Sequence, residues 1–152
     1  MPTITPFLWF DTEAEEAMSF YASIFPRSRV ISVNRAGGRT MSVDFEIENQ
    51  RIMALNGGPV YQFNESFSLF VSCESQEEID QYWSRLTADG GAPGRCGWLK
   101  DKYGVSWQVI PTAFGAMLGG SDAARTKRVV DAMMQMGKLE LAKLQQAFDG
   151  VG

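Results

Sequence analysis

The sequence predicts an α+β fold: two βαβββ units whose strands form a curved, open sheet, followed by C-terminal helices. Three observations carry this. Apolar residues alternate with period two, then recur with helical period, then alternate again through a strand meander, and the cycle restarts. A shift of 62 residues lays Glu15-Glu16 on Glu77-Glu78, Phe20-Tyr21 on Tyr82-Trp83, and Phe7 to Trp9 on Leu69 to Val71. Between the copies stands Asn56-Gly57-Gly58-Pro59, a break in both patterns. The reading is a single domain over 1–152, with a first unit at 1–58, a shortened second unit at 59–112 and a helical tail at 113–152.

Taken in order, Ile4 to Phe10 is a strand, with Pro6 near its start or at an edge. Thr12 and Glu15 have the spacing of a capping box. The helix they open carries Ala14, Ala17, Met18, Tyr21, Ile24 and Phe25 as a core stripe and stops at Pro26. Three strands follow: Arg29 to Asn34, Arg39 to Ile47 and Arg51 to Asn56, with turns at 35–38 and at Glu48-Asn49. In the middle strand Met41, Val43, Phe45 and Ile47 share one face. Asp44 and Glu46 lie on the other, which can line a site or simply face water.

The second unit starts with Phe67 to Ser72. A second capping box, Ser75 to Glu78, opens a helix with Ile79, Tyr82, Trp83 and Leu86 inward, ended at 89–91. The first strand of its meander is nearly missing, because Ala92-Pro93-Gly94 leaves little room for one. A hairpin closes the unit: Cys96 to Leu99, the turn Asp101-Lys102-Tyr103-Gly104, then Val105 to Ile110. Strand alternation places Val105, Trp107 and Val109 toward a core. Ser106, Gln108 and Ile110 fall on the opposite face, either a ligand-facing wall or a sheet surface in water. In the tail, Ser121 caps a helix over 122–136 and Gly137 breaks it. Leu141, Leu144 and Phe148 mark a second helix ended by Gly150.

Composition narrows the chemistry. Fourteen Lys and Arg against eighteen Asp and Glu leave a net charge of −4 with no basic run, so nucleic acid is not an expected partner. No apolar run approaches the ~20 residues of a membrane span, and no export signal opens the chain, so neither membrane nor secretion is expected. The two cysteines, Cys73 and Cys96, then read as free thiols in a cytoplasmic protein. The chain has no histidine, which excludes Ser-His-Asp and Cys-His catalysis and any His-ligated metal. Cys96 is the one nucleophile candidate, with nearby Lys100 as the cation that would favour its thiolate, although a strand cysteine also serves as a small core residue. An open sheet with helices outside is where a small molecule would sit.

The segments TPFLWFD, EEAMSFYASIFP, MALNGGP and CGWLKDKYGVSWQVIP, with DAMMQMGKLELAKLQQAFDG in the tail, resemble the PhnB-like family. Its members often carry the name 3-demethylubiquinone-9 3-methyltransferase. The family lies within the vicinal oxygen chelate, or glyoxalase/bleomycin resistance, superfamily. The resemblance implies that fold, a small-molecule cup and a homodimer. It also implies a divalent metal held by strand residues, and those positions fall near Pro6 or Ile4, on Ser68 and on Gln108. None of these is an anionic or imidazole donor, so no metal and no cofactor is expected. Strand parity, the thiol chemistry and the resemblance together give the expected ligand-binding residues as Leu8, Phe10, Ser68, Cys96, Trp98, Ser106 and Gln108, around an unidentified small molecule. Two other activities remain open: a glyoxalase- or dioxygenase-like lyase or isomerase, or the methyltransferase of the family name. The glycine clusters do not follow a buried parallel strand and open a helix, as an S-adenosylmethionine site on a doubly wound sheet requires.

Overall fold

The computed structural model describes residues 1–151, which divide into two compact units, Met1–Phe63 and the chain from Asn64 onward. The first unit contains β1 (Phe7–Phe10), α1 (Ala14–Ile24), β2 (Ser28–Ala36), β3 (Arg39–Ile47) and β4 (Gln50–Asn56). Its sheet has the order β1-β4-β3-β2, with β1 parallel to β4 and the rest antiparallel. The second unit contains β5 (Ser68–Cys73), α2 (Gln76–Leu86), β6 (Ala92–Pro93), β7 (Trp98–Lys100) and β8 (Ser106–Pro111). Its sheet repeats the arrangement as β5-β8-β7-β6. The sequence repeat is therefore a repeat of topology. The shortened strand of the second copy survives as two residues of β6.

In the first unit Leu8, Ala54 and Val43 lie in register across three strands and are all buried, as are Phe45 and its partner Ile52. α1 covers this face with Ala14, Ala17, Met18, Tyr21 and Ile24. The expected cap at Thr12 does not form. Glu13 takes the cap position without a side-chain bond, and the first helical amide, that of Ala14, donates instead to Asn56 Oδ1 at 2.8 Å. Glu15 is drawn away to Arg35 and Thr40 on the sheet. A fixed tertiary acceptor thus replaces a local one. The unit also ends five residues later than the glycine break. Tyr61 packs on Trp9 and Phe63 on Phe10, both edge-on at about 5 Å, which ties the segment after the break back to β1. Gly57 permits this, since a Cβ there would lie 2.2 Å from the Trp9 ring.

In the second unit the capping box does form: Ser75 Oγ accepts from the Glu78 amide at 3.2 Å. The Glu78 carboxylate reaches back to the amide of Glu74, one residue beyond the cap. α2 packs over the face carrying Leu99, Trp107 and Val109, all nearly inaccessible. The tail belongs to this unit. It holds three helices rather than the expected two: α3 (Thr112–Leu118), α4 (Ala123–Met134) and α5 (Leu141–Asp149). α3 continues directly from β8, and Asp122 rather than Ser121 caps α4, accepting from the Arg125 amide. Ile110, Met117, Val129, Leu139 and Leu144 form the tail's own core. Backbone bonds from Cys96 to Met136 and from Gly97 to Gly137 fasten it to the hairpin.

Candidate functional site

The hairpin turn is built on one buried carboxylate. Asp101, 2% exposed, accepts from the amides of Tyr103 and Val105 at 2.9 and 3.1 Å and from Trp107 Nε1 at 2.9 Å. The turn closes with a bond from the Gly104 amide to the Asp101 carbonyl, with Gly104 at a φ of +87°. Trp107 is therefore locked toward α2 by its ring and by its N–H. That lock sets the parity of β8 and turns Ser106, Gln108 and Ile110 to the other face of the sheet.

On that face the registered partners make a grid. Ser68, Ser106 and Lys100 form one row across β5, β8 and β7. Phe70, Gln108 and Trp98 form the next, and Ser72 and Ile110 the third. Gln108 Nε2 donates to Ser68 Oγ at 3.0 Å. Two chambers open onto the grid. The larger, about 530 Å³, lies over Phe70, Gln108, Trp98 and Ile110 and is walled by Phe114 of α3 and Met133 of α4. The smaller, about 420 Å³, shares Trp98 with it and is lined by Glu65, Pro93, Arg95, Lys100 and Ser106. In it Lys100 Nζ pairs with the Glu65 carboxylate and holds that carboxyl below its usual range. Ser106 Oγ, at a residue 1% exposed, has no hydrogen-bond partner.

Of the residues expected to bind a ligand, Ser68, Cys96, Trp98, Ser106 and Gln108 lie on or beside this grid. Leu8 and Phe10 do not. They are 3% and 2% exposed on the helix-covered face of the first sheet, so the parity of β1 is the reverse of that expected. The reason is the row Leu8-Ala54-Val43, in which small and branched side chains leave room for α1. Phe7 and Trp9 take the opposite face. Cys96 is not in a strand but at a left-handed corner, φ 59°, with its Sγ 3.7 Å from Met134 Sδ. Lys100, expected to favour its thiolate, is engaged with Glu65 instead. Cys73 is buried, and desolvation, reinforced by Glu78 and Glu74, pushes its thiol up to about 12. Asp44 and Glu46 are each held by a bidentate arginine, Arg51 and Arg29, and the carboxyls lie below their usual range because of those bonds. Sequence reasoning missed Asp101 as more than a turn residue and missed Phe114 and Met133 as walls. An Asp opening a turn, followed by two chain amides, was the available signal for the first.

A family model described as 3-demethylubiquinone-9 3-methyltransferase matches residues 2–110. The chain belongs to this family. A PhnB protein from Bacillus cereus to which the same methyltransferase name is attached is 35% identical. The match covers 73% of this chain and 100% of that one, with a TM-score of 0.68. Two more distant structures share the fold. PA1353 from Pseudomonas aeruginosa is 21% identical over 73% of this chain and 98% of its own, TM-score 0.58. The fosfomycin resistance protein FosX from Listeria monocytogenes is 16% identical over 72% and 92%, TM-score 0.54, and was solved with Mn(II) and a dihydroxypropylphosphonic acid. The α+β architecture matches the glyoxalase/bleomycin resistance-like fold of these structures. Comparison with curated proteins gave no match.

The Mn(II) is that of FosX, and the donor set in this chain does not suit a divalent metal. Ser68 and Gln108 are neutral and bonded to each other, and Pro6 carries no donor side chain. Among the described residues no three His, Cys, Asp or Glu side chains come together. A hard or borderline cation takes two or three anionic or imidazole donors.

Proposed function

We propose that this PhnB-like protein binds a small, largely apolar molecule in the larger chamber, oriented by Gln108 and without a metal. The observation that carries this is the chamber itself. Its volume falls in the ligand-pocket range, its walls are aromatic and aliphatic, and a carboxamide and hydroxyls supply a few fixed polar points. The chemistry favours a binding role over the methyltransferase name. The turns joining β1 to α1 and β5 to α2 are Asp11-Thr12-Glu13 and Glu74-Ser75, with acids and no glycine where a pyrophosphate- or nucleoside-binding turn has glycine. We take the working form to be a cytoplasmic homodimer with no nucleic-acid or membrane partner. The net charge of −4 bears on the nucleic-acid part of this reading alone, and among the described residues no helix is long and apolar enough to cross a membrane.

Titration with the apolar fluorophore N-phenylnaphthylamine tests the chamber. One probe per chain is expected to bind. Gly115 lines the chamber and has open space at its Cβ, so Gly115→Leu should fill it, keep the fold and abolish binding. Gln108→Leu should raise the affinity of this apolar probe or leave it, because no polar partner is lost to it. Binding untouched by Gly115→Leu places the ligand elsewhere. Elemental analysis is expected to find no stoichiometric Zn, Mn, Fe or Ni; one chelatable metal per chain that binding requires would overturn the metal-free reading.

A further inference from the structure

We propose that the smaller chamber receives the acidic head of an amphipathic ligand, with Lys100 exchanging Glu65 for the ligand's anion and Ser106 donating its hydroxyl. This rests on the reading that the larger chamber holds the ligand's apolar body. The two chambers adjoin at Trp98, which lines both, and this places the head of a ligand next to its body.

Three independent features of the smaller chamber point to an anion. First, Ser106 is a buried hydroxyl lining the chamber without a partner, and buried polar side chains rarely stay unpaired. Second, the chamber holds two cations, Lys100 and Arg95, against one acid, Glu65. The Arg95 guanidinium reaches a single backbone acceptor, the Met134 carbonyl. Third, the ion pair spans β8. Glu65 sits three residues before Ser68 on the β5 side, and Lys100 is on β7. Ser106 is the registered partner of both Lys100 and Ser68, and it lines the same chamber as the ion pair. Glu65 is the replaceable partner. Its side chain is 62% exposed on a turn held by Asn64, and an exposed ion pair gives up little when one member returns to water. A cationic head would meet Lys100 and Arg95. A neutral head could accept from Ser106 but would not displace Glu65 from Lys100. A carboxylate, phosphonate or sulfonate answers all three.

Two probes with the same aromatic body test this, N-phenylnaphthylamine and anilinonaphthalene sulfonate. Lys100→Met is expected to weaken the sulfonate about tenfold, the value of one charge-assisted hydrogen bond, and to leave the neutral probe within about twofold. Glu65→Gln, an exposed change safe for folding, should tighten the sulfonate severalfold by removing its competitor. Ser106→Ala should weaken the sulfonate alone. Added salt should do the same. If Lys100→Met and Glu65→Gln leave sulfonate binding unchanged, or move both probes equally, the head-group assignment is overturned while the chamber stands. If neither probe saturates at one per chain, the chamber reading fails first.

Discussion

Trp107 and Gln108 are adjacent in β8 and point to opposite faces, so exchanging each should give opposite results. Trp107→Ala removes a fully buried indole, about 3–5 kcal/mol, and strips one donor from the Asp101 carboxylate, about 1.5–3 kcal/mol more. That sum approaches the 5–15 kcal/mol total stability of an ordinary domain, so the informative variant is Trp107→Phe. It keeps a ring in place, loses the N–H to Asp101 and opens a void of about a methyl group or more, for about 2.5–4 kcal/mol in all. At about 2–4 °C per kcal/mol for a chain of this size, the melting point should fall by about 5–16 °C. Gln108→Leu loses only a half-buried bond to Ser68 and should cost under about 1 kcal/mol. Urea unfolding followed by tryptophan fluorescence measures both. Trp107→Phe combined with Asp101→Asn should cost less than the two separately, by at least about 0.5 kcal/mol, because both break one bond. Gln108→Leu unfolding the protein while Trp107→Phe is harmless would refute the parity on which both chambers rest.

Three further outcomes are expected. Removing residues from Ser121 onward should expose Ile110 and Met117, which Val129, Leu139 and Leu144 otherwise cover, and cause aggregation; a well-folded truncated chain by light scattering and thermal melting would count against the tail core. Asp44, Glu46 and Glu15 all have carboxyls held down by arginine, from ordinary values of 3.8, 4.5 and 4.5, so their stabilisation is present above those values and drains as pH falls, from 4.5 for the glutamates and from 3.8 for Asp44; Asp44→Asn should make the acid limb of an unfolding-versus-pH curve shallower, and an unchanged limb would discount the Arg51 pair. A thiol reagent at pH 8 should label Cys96 and spare Cys73, which is buried with its thiol near 12; rapid labelling of both would show the second unit opening.

Much of the architecture was legible in the chain alone. The doubled strand-helix-meander pattern, the Ser75 cap, the turn at Glu48-Asn49 and the inward face of β8 are local signals. Each depends on hydrogen bonds within a few residues or on side-chain period, which any stretch of sequence displays. What the tertiary structure decided lies between distant segments. Asn56 displaced Thr12 as the partner of the α1 amides, because a fixed acceptor 42 residues away meets the helix end where a flexible hydroxyl would have to be ordered. The parity of β1 was set by its parallel pairing with β4, which put Leu8 beside Ala54, and a four-residue strand of four large apolar residues carries no alternation to reveal that. The chamber walls came from α3 and α4, beyond the family match. The pairing of Glu65 with Lys100 joined the turn before β5 to β7. A sequence states which residues can face a cavity; only the register between strands decides which of them share one.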